Sequence, residues 1–217
     1  MSRKKTENSE EKSSGAELFS RAIVALKRGE VIVFPTETFY GLGADVFNEP
    51  AVGRIVSLKG RNPENPIPII IGDREMLSAV VISVPPMAQK LMERFWPGAL
   101  TLVLPAKKNL PAPLLNRDGG VGVRISSHPL ATQLARELGR PLTATSANPS
   151  GKGPARTIEE AMSYFSGRVK IFLDGGRLGG KKGSTVVEIV QGKLRIIREG
   201  EISSEELERT LSRQLRV

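Results

Sequence analysis

Cysteine is absent from the 217 residues, which excludes disulfides, thiolate metal sites and a cysteine nucleophile together. Histidine occurs once, at His128, leaving little material for a zinc cluster or a Ser-His-Asp triad. No apolar run approaches the roughly 20 residues needed to cross a bilayer. The amino-terminal stretch MSRKKTENSEEKSSG lacks the apolar core of a secretory signal. Neither an internal repeat nor a linker marks a second domain. These absences predict a cytoplasmic protein with no membrane attachment, long enough for one sizeable core.

What is present is charge of one sign. Lysine and arginine number 32 against 23 acidic residues, a net charge of +9. Residues 1–14 hold four basic and three acidic groups, so nearly all of the excess belongs to the remainder. Such an excess suits a polyanionic ligand or nucleic acid, and it also suits a plain solvated surface. Residues 1–14, polar and without periodic apolar positions, read as a disordered tail; residues 15–217 read as one folded domain.

Apolar residues recur at helical spacing over 16–28, with Gly29 as a stop. The run VIVF (31–34) reads as a buried strand, followed by the turn TETFYGLG. A helix over 50–58 has Asn48 as its cap. Strands are expected at 67–71, 100–105, 121–125 and 141–145, and helices at 74–80, 86–95 and 129–138. Thr157 with Glu160 forms a capping box for the next helix. VKIFLD is followed by two strands joined through Gln191-Gly192, and Ser203 with Glu206 caps a last helix. Alternating elements early and hairpins late give an α/β domain around a mixed sheet.

Polar segments cluster where these elements end: Thr36 in FPTETFYGLGAD, Lys59 and Arg61 in SLKGRNPENP, Ser146 and Asn148 in TATSANPSGKG, and Ser184 in GGKKGSTVVEI. Arg124 in VGVRIS and Arg198 in KLRIIR add cations. Each alone has a bland reading as turn chemistry, an exposed corner or a solvated strand face. Together, fixed cations and hydroxyls suggest a site for a nucleoside triphosphate and a small polar partner. Gly175, Gly180 and Lys181 imitate a phosphate-binding loop. Lys182, however, stands where a Ser or Thr would ligate magnesium, and a strand follows instead of a helix. Gly41 and Gly43 lack the third glycine of a dinucleotide fingerprint; they are expected to let a ligand approach the backbone closely.

FPTETFYGLGAD, the Lys59-Gly-Arg61 and Ser146-Ala-Asn148 triplets, FWPGALTLVLPA, VGVRISSHP, STVVEI and IIREG occur in one order. In this the chain resembles the YrdC-like family of L-threonylcarbamoyladenylate synthases, over about residues 17–200. The resemblance implies one YrdC-like α/β domain, a twisted mixed sheet with flanking helices and a basic concave cavity. It implies condensation of L-threonine, bicarbonate or carbon dioxide, and ATP into threonylcarbamoyl-AMP and pyrophosphate. Threonylcarbamoyl-transferase proteins would then pass the group to tRNA. By position, Lys59 and Arg61 would be the catalytic cations and hold ATP together with Asn65, Ser146, Asn148 and Arg198. Thr36, Arg124, Ala144 and Ser184 would form the threonine pocket. Mg2+ would arrive on the ATP phosphates, with no dedicated metal site. Ile70 stands where some members have a histidine, and the chain looks like the short form without a second domain. The competing expectation is a YrdC-like protein that binds tRNA or double-stranded RNA through its basic concavity without chemistry.

Overall fold

The computed structural model describes the backbone of residues 3–60, 62 and 65–212, with side chains from residue 15 onward. Helix α1 spans Arg3–Lys27. Of the disordered tail expected over residues 1–14, residues 1 and 2 lie outside the described residues, and for residues 3–14 only the backbone, within α1, is described. At the other end of α1 the chain turns through Gly29, whose φ of +75° lies in the left-handed region that glycine enters at little cost.

Two sheets form. The smaller has the order β7-β2-β1-β8, from β1 (Ile32–Pro35), β2 (Tyr40–Gly43), β7 (Thr145–Ser146) and β8 (Ile171–Phe172). The larger runs β10-β9-β4-β5-β3-β6, from β3 (Ile69–Ile70), β4 (Leu100–Pro105), β5 (Gly120–Arg124), β6 (Leu142–Thr143), β9 (Thr185–Val190) and β10 (Lys193–Arg198). Both are mixed: β1 pairs parallel with β8, and β4 with β9, while the hairpins are antiparallel. The α/β class expected from the sequence stands, but the one expected sheet is two. The division falls inside PLTAT, where Thr143 pairs with Ile69 in the larger sheet and Thr145 with Leu42 in the smaller. Ala144 sits at the switch, its N–H donating to Pro68 O at 2.8 Å.

The second correction concerns Gly43, whereas Gly41 lines a cavity. Both lie in strand β2, opposite Phe34 and Ile32, rather than in an open turn. A Cβ on Gly43 would sit 2.8 Å from Cε1 of Phe34. Gly43 therefore makes room for a buried phenylalanine ring, not for a ligand.

Helices cover both sheets. α2 (Glu49–Lys59) starts where Asn48 Oδ1 accepts from Ala51 N at 3.0 Å, and stops at Gly60 with φ +56°. Its buried face, Ala51, Val52, Ile55, Leu58 and Lys59, follows helical spacing. The short α3 (Leu77–Val80) and α4 (Pro86–Phe95) precede β4. α5 (Pro129–Leu138) packs Ala131, Leu134, Ala135 and Leu138 with Ala22, Ala25 and Leu26 of α1 and with Phe34. α6 (Ile158–Phe165) is capped by Thr157, while Glu160 Oε2 accepts from Arg156 N, one residue earlier than a capping box requires. α7 (Ser204–Ser212) closes the described chain. Each fully buried side chain such as Phe34, Phe165 or Leu91 contributes roughly 1.5–3 kcal/mol. That anchors the strand ends from which the site is built.

Candidate active site

The turn after β1 is built by Thr36. Its hydroxyl donates to Phe39 O at 2.7 Å and accepts from the N–H groups of Thr38 and Phe39 at 3.2 and 3.3 Å. A threonine oxygen so engaged shapes the turn. The expected substrate contact therefore has to come from its neighbours or the rest of the side chain. Thr36 is buried, and with Thr38 it lines a cavity of about 280 Å3.

Six residues expected in the site share that cavity: Thr36, Arg124, Ala144, Ser146, Ser184 and Arg198. They come from the ends of β1, β5, β7, β9 and β10 and from the Ala144 switch. Strand ends meeting at a switch between sheets leave a crevice, and that is where open α/β folds place ligands.

Arg124 ends β5, and its side chain is 6% exposed. Its Nη1 pairs with Glu37 Oε1, and Ser126 Oγ donates to Glu37 Oε2. Ser126 Oγ in turn accepts from His128 N at 3.1 Å. Sequence reasoning passed over Glu37 and Ser126, although both lie within the motifs it singled out. His128 precedes α5 and makes no side-chain cap. Its Nδ1 is buried without a hydrogen-bond partner. Burial lowers its pKa below the usual histidine value, against the opposing pull of the Glu37 charge.

Arg198 ends β10 and is aimed by Ser184, whose carbonyl accepts from Nη2 at 2.7 Å and from Nε at 3.3 Å. Ser184 Oγ is tied to Thr101 Oγ1 at 2.8 Å. Burial, and then the nearby positive charge of Arg124, lower the Arg198 pKa from its ordinary value. An arginine stays charged despite such a shift, so the cavity holds two guanidinium ions that repel each other. An anion between them would relieve that repulsion.

Lys59 ends α2 and is 3% exposed. Its ammonium donates to Ser146 O at 2.6 Å, Asn148 O at 2.7 Å and Asn148 Oδ1 at 3.4 Å. Asn148 Nδ2 is fixed by Lys152 O and Pro149 O at 2.6 and 3.1 Å. Asn148, expected to touch ATP, holds Lys59 in place. Asn65 lies in a neighbouring depression of about 610 Å3 whose walls include Pro66, Val103, Val186 and Ile196; this depression shares Pro68 and Arg198 with the first. Arg61, the second expected phosphate ligand, lies outside the described residues.

Tyr40 also lines the cavity. Its hydroxyl accepts from Gly175 N at 3.0 Å and lies 2.7 Å from Gly176 O and 3.0 Å from Asp174 Oδ1. Burial pushes its pKa up to about 12, with Asp174 adding to the rise. It thereby ties the segment after β8 to the cavity. The glycine- and lysine-rich continuation packs on the Thr36 turn, since a Cβ on Gly180 would fall 2.2 Å from Thr38 O. That close packing is the physical reason for the glycines that imitate a phosphate loop. Among the described residues no helix is long and apolar enough to cross a membrane.

A family model, Sua5/YciO/YrdC, described as "Telomere recombination", matches residues 24–200. The chain is 39% identical over 200 residues to threonylcarbamoyl-AMP synthase of Bacillus subtilis, covering 92% of this chain and 58% of that one. It is 37% identical over 169 residues to threonylcarbamoyl-AMP synthase of Methylobacillus flagellatus, covering 78% and 93%. Among solved structures, P. abyssi Sua5 complexed with L-threonine superposes with a TM-score of 0.85 at 36% identity, covering 89% and 57%.

Proposed function

This chain belongs to the Sua5/YciO/YrdC family, and from that premise we propose that it is a threonylcarbamoyl-AMP synthase, an enzyme of the nucleotidyltransferase type. One observation carries the reading at the level of residues. Buried Arg124 and the more exposed Arg198 converge with strand-end hydroxyls on one cavity, and buried Lys59 is bonded to its wall at Ser146. Relatives named for this activity, and a relative crystallised with L-threonine, support the enzyme over an RNA-binding protein without chemistry.

In this reading the threonine carboxylate pairs with Arg124, whose remaining guanidinium N–H groups have no protein acceptor among the described residues. A planar fork suits a carboxylate. The nucleoside occupies the larger depression beside Asn65, over the apolar floor of Val103, Val186 and Ile196. Arg198 then stands between base and amino acid, where the α-phosphate would lie. Lys59 would stabilise the departing phosphates, the role the family resemblance also gives Arg61.

The chemistry balances without a protein nucleophile. Threonine's amine takes up carbon dioxide and loses a proton to give a carbamate; bicarbonate enters the same way with loss of water. A carbamate oxygen bonds to the α-phosphorus while the bond to pyrophosphate breaks, and the electron pair leaves on the pyrophosphate oxygen. Negative charge grows on the α-phosphoryl oxygens and the leaving group. Fixed cations lining the site stabilise that charge, so catalysis is positioning and electrostatics. Magnesium carried on the triphosphate would neutralise phosphate charge. Transfer of the product to tRNA by partner proteins completes the reading. Its test is pyrophosphate release from ATP: the reading requires dependence on both threonine and bicarbonate, and release indifferent to either would refute it.

A further inference from the structure

Arg124 serves two carboxylates in the proposed reaction, one from the substrate and one from the protein. Glu37 is the protein's. Its side chain is 13% exposed, and it is not among the residues that line the cavity. Its oxygens are divided between Arg124 Nη1 and Ser126 Oγ, so it sits behind the guanidinium rather than in front of it. We propose that Glu37 is a positioning residue for threonine recognition, with Ser126 as its support, setting the plane in which Arg124 presents its fork to the amino-acid carboxylate.

Three observations favour this over a purely structural ion pair. Glu37 and Arg124 come from different sheets, the turn after β1 and the end of β5, so their bond fixes the geometry of the crevice between them. The supporting Ser126 is held by the chain itself, through His128 N. Finally, Arg198 repels Arg124 across the cavity, and an arginine facing a like charge turns away unless something holds it. Removing Glu37 has two opposed effects on substrate: loss of a negative charge strengthens the pull of Arg124 on a carboxylate, and loss of the hold lets the fork rotate. A bidentate contact needs its plane more than extra charge, because misdirected N–H groups make neither bond well. Orientation therefore wins.

The inference rests on the threonine reading of this cavity, and the test separates the two. Threonine affinity is measured by calorimetry, without turnover, for wild type, Glu37→Ala, Glu37→Gln and Ser126→Ala, alongside steady-state KM for threonine and for ATP. Wild type that binds no threonine would refute the reading itself. Given binding by wild type, Glu37→Ala is expected to weaken threonine at least tenfold while KM for ATP stays within about twofold. Glu37→Gln, which keeps an oxygen acceptor for Nη1, should lose less, and Ser126→Ala should show a smaller loss in the same direction. In an Arg124→Lys background the Glu37→Gln loss should vanish, since there is no fork left to orient. If Glu37→Ala has no cooperative melt, Glu37→Gln in the two backgrounds decides. Unchanged threonine affinity in Glu37→Gln and Ser126→Ala, or equal losses with and without Arg124, would overturn the proposal.

Discussion

Replacing Lys59 with methionine keeps a long apolar stem in the slot at the end of α2 and removes the ammonium. Two consequences can be separated. Within the fold, Ser146 O and Asn148 O lose their donor at 2.6 and 2.7 Å. Hydrogen bonds from a charged group are worth about 1.5–3 kcal/mol each, less what water recovers at the vacated site. At the reaction, the cation proposed to stabilise the developing phosphate charge would be lost. Such losses run to about 2.7–4 kcal/mol, or about 100- to 1000-fold in rate. The assay is kcat/KM for ATP from pyrophosphate release at saturating threonine, with the melting temperature measured on the same preparation. Asn148→Ala supplies the internal control: it leaves the charge but removes the Oδ1 contact and the brace to Lys152, so its rate loss should be real but smaller. A Lys59→Met enzyme that melts cooperatively and turns over within threefold of wild type would refute the assignment of Lys59 to the phosphates.

Other expectations follow from particular contacts. Arg124→Lys keeps the charge but not the planar fork, so KM for threonine should rise at least tenfold with KM for ATP nearly unchanged; the reverse pattern would move Arg124 to the nucleotide. Gly43→Ala drives a methyl to 2.8 Å from the Phe34 ring, which should cost about 1–3 kcal/mol and lower the melting temperature by several degrees; a neutral result would show that the ring has room to move. Tyr40 is an acid whose folded pKa, about 12, lies above its ordinary value of about 10. Its stabilising effect is therefore complete below about pH 10 and is lost as pH rises toward 12. Denaturant titrations should show wild type losing stability across that window relative to Tyr40→Phe, and parallel curves would contradict the burial of the hydroxyl. His128 carries the opposite sign. Its lowered folded pKa predicts stability lost on acidification below the ordinary histidine value near 6.5, and His128→Gln should flatten that limb.

Elements with a local signature were legible in the sequence. The Asn48 cap, the Gly139 stop, the Gln191-Gly192 hairpin and the run LTLVLP each carry their reason within a few residues, and each forms where expected. What depended on distant partners was not legible. PLTAT reads as one strand because nothing local reveals that Thr143 and Thr145 pair in different sheets. Gly43 reads as a ligand-facing glycine until the Phe34 ring is seen packed against it. In the site, the residue types that converge were identifiable, but their division of labour was not. Asn148 and Ser184 turn out to aim Lys59 and Arg198, and Glu37 became visible only through Arg124. Carboxylates and amides that position another side chain leave no spacing pattern, because their partners lie 87 and 89 positions away in the chain.

The central claim is that the carboxylate of threonine is held while its amine, converted to a carbamate, delivers a carbamate oxygen to the α-phosphorus. Mass spectrometry of the nucleotide product formed from ATP, threonine and 13C-labelled bicarbonate tests it most directly. The account predicts AMP carrying a threonylcarbamoyl group with the label incorporated, and loss of that product in Arg124→Lys at low threonine. An unlabelled threonyl adenylate would mean that the carboxylate itself attacks, leaving no place for Arg124 as its clamp.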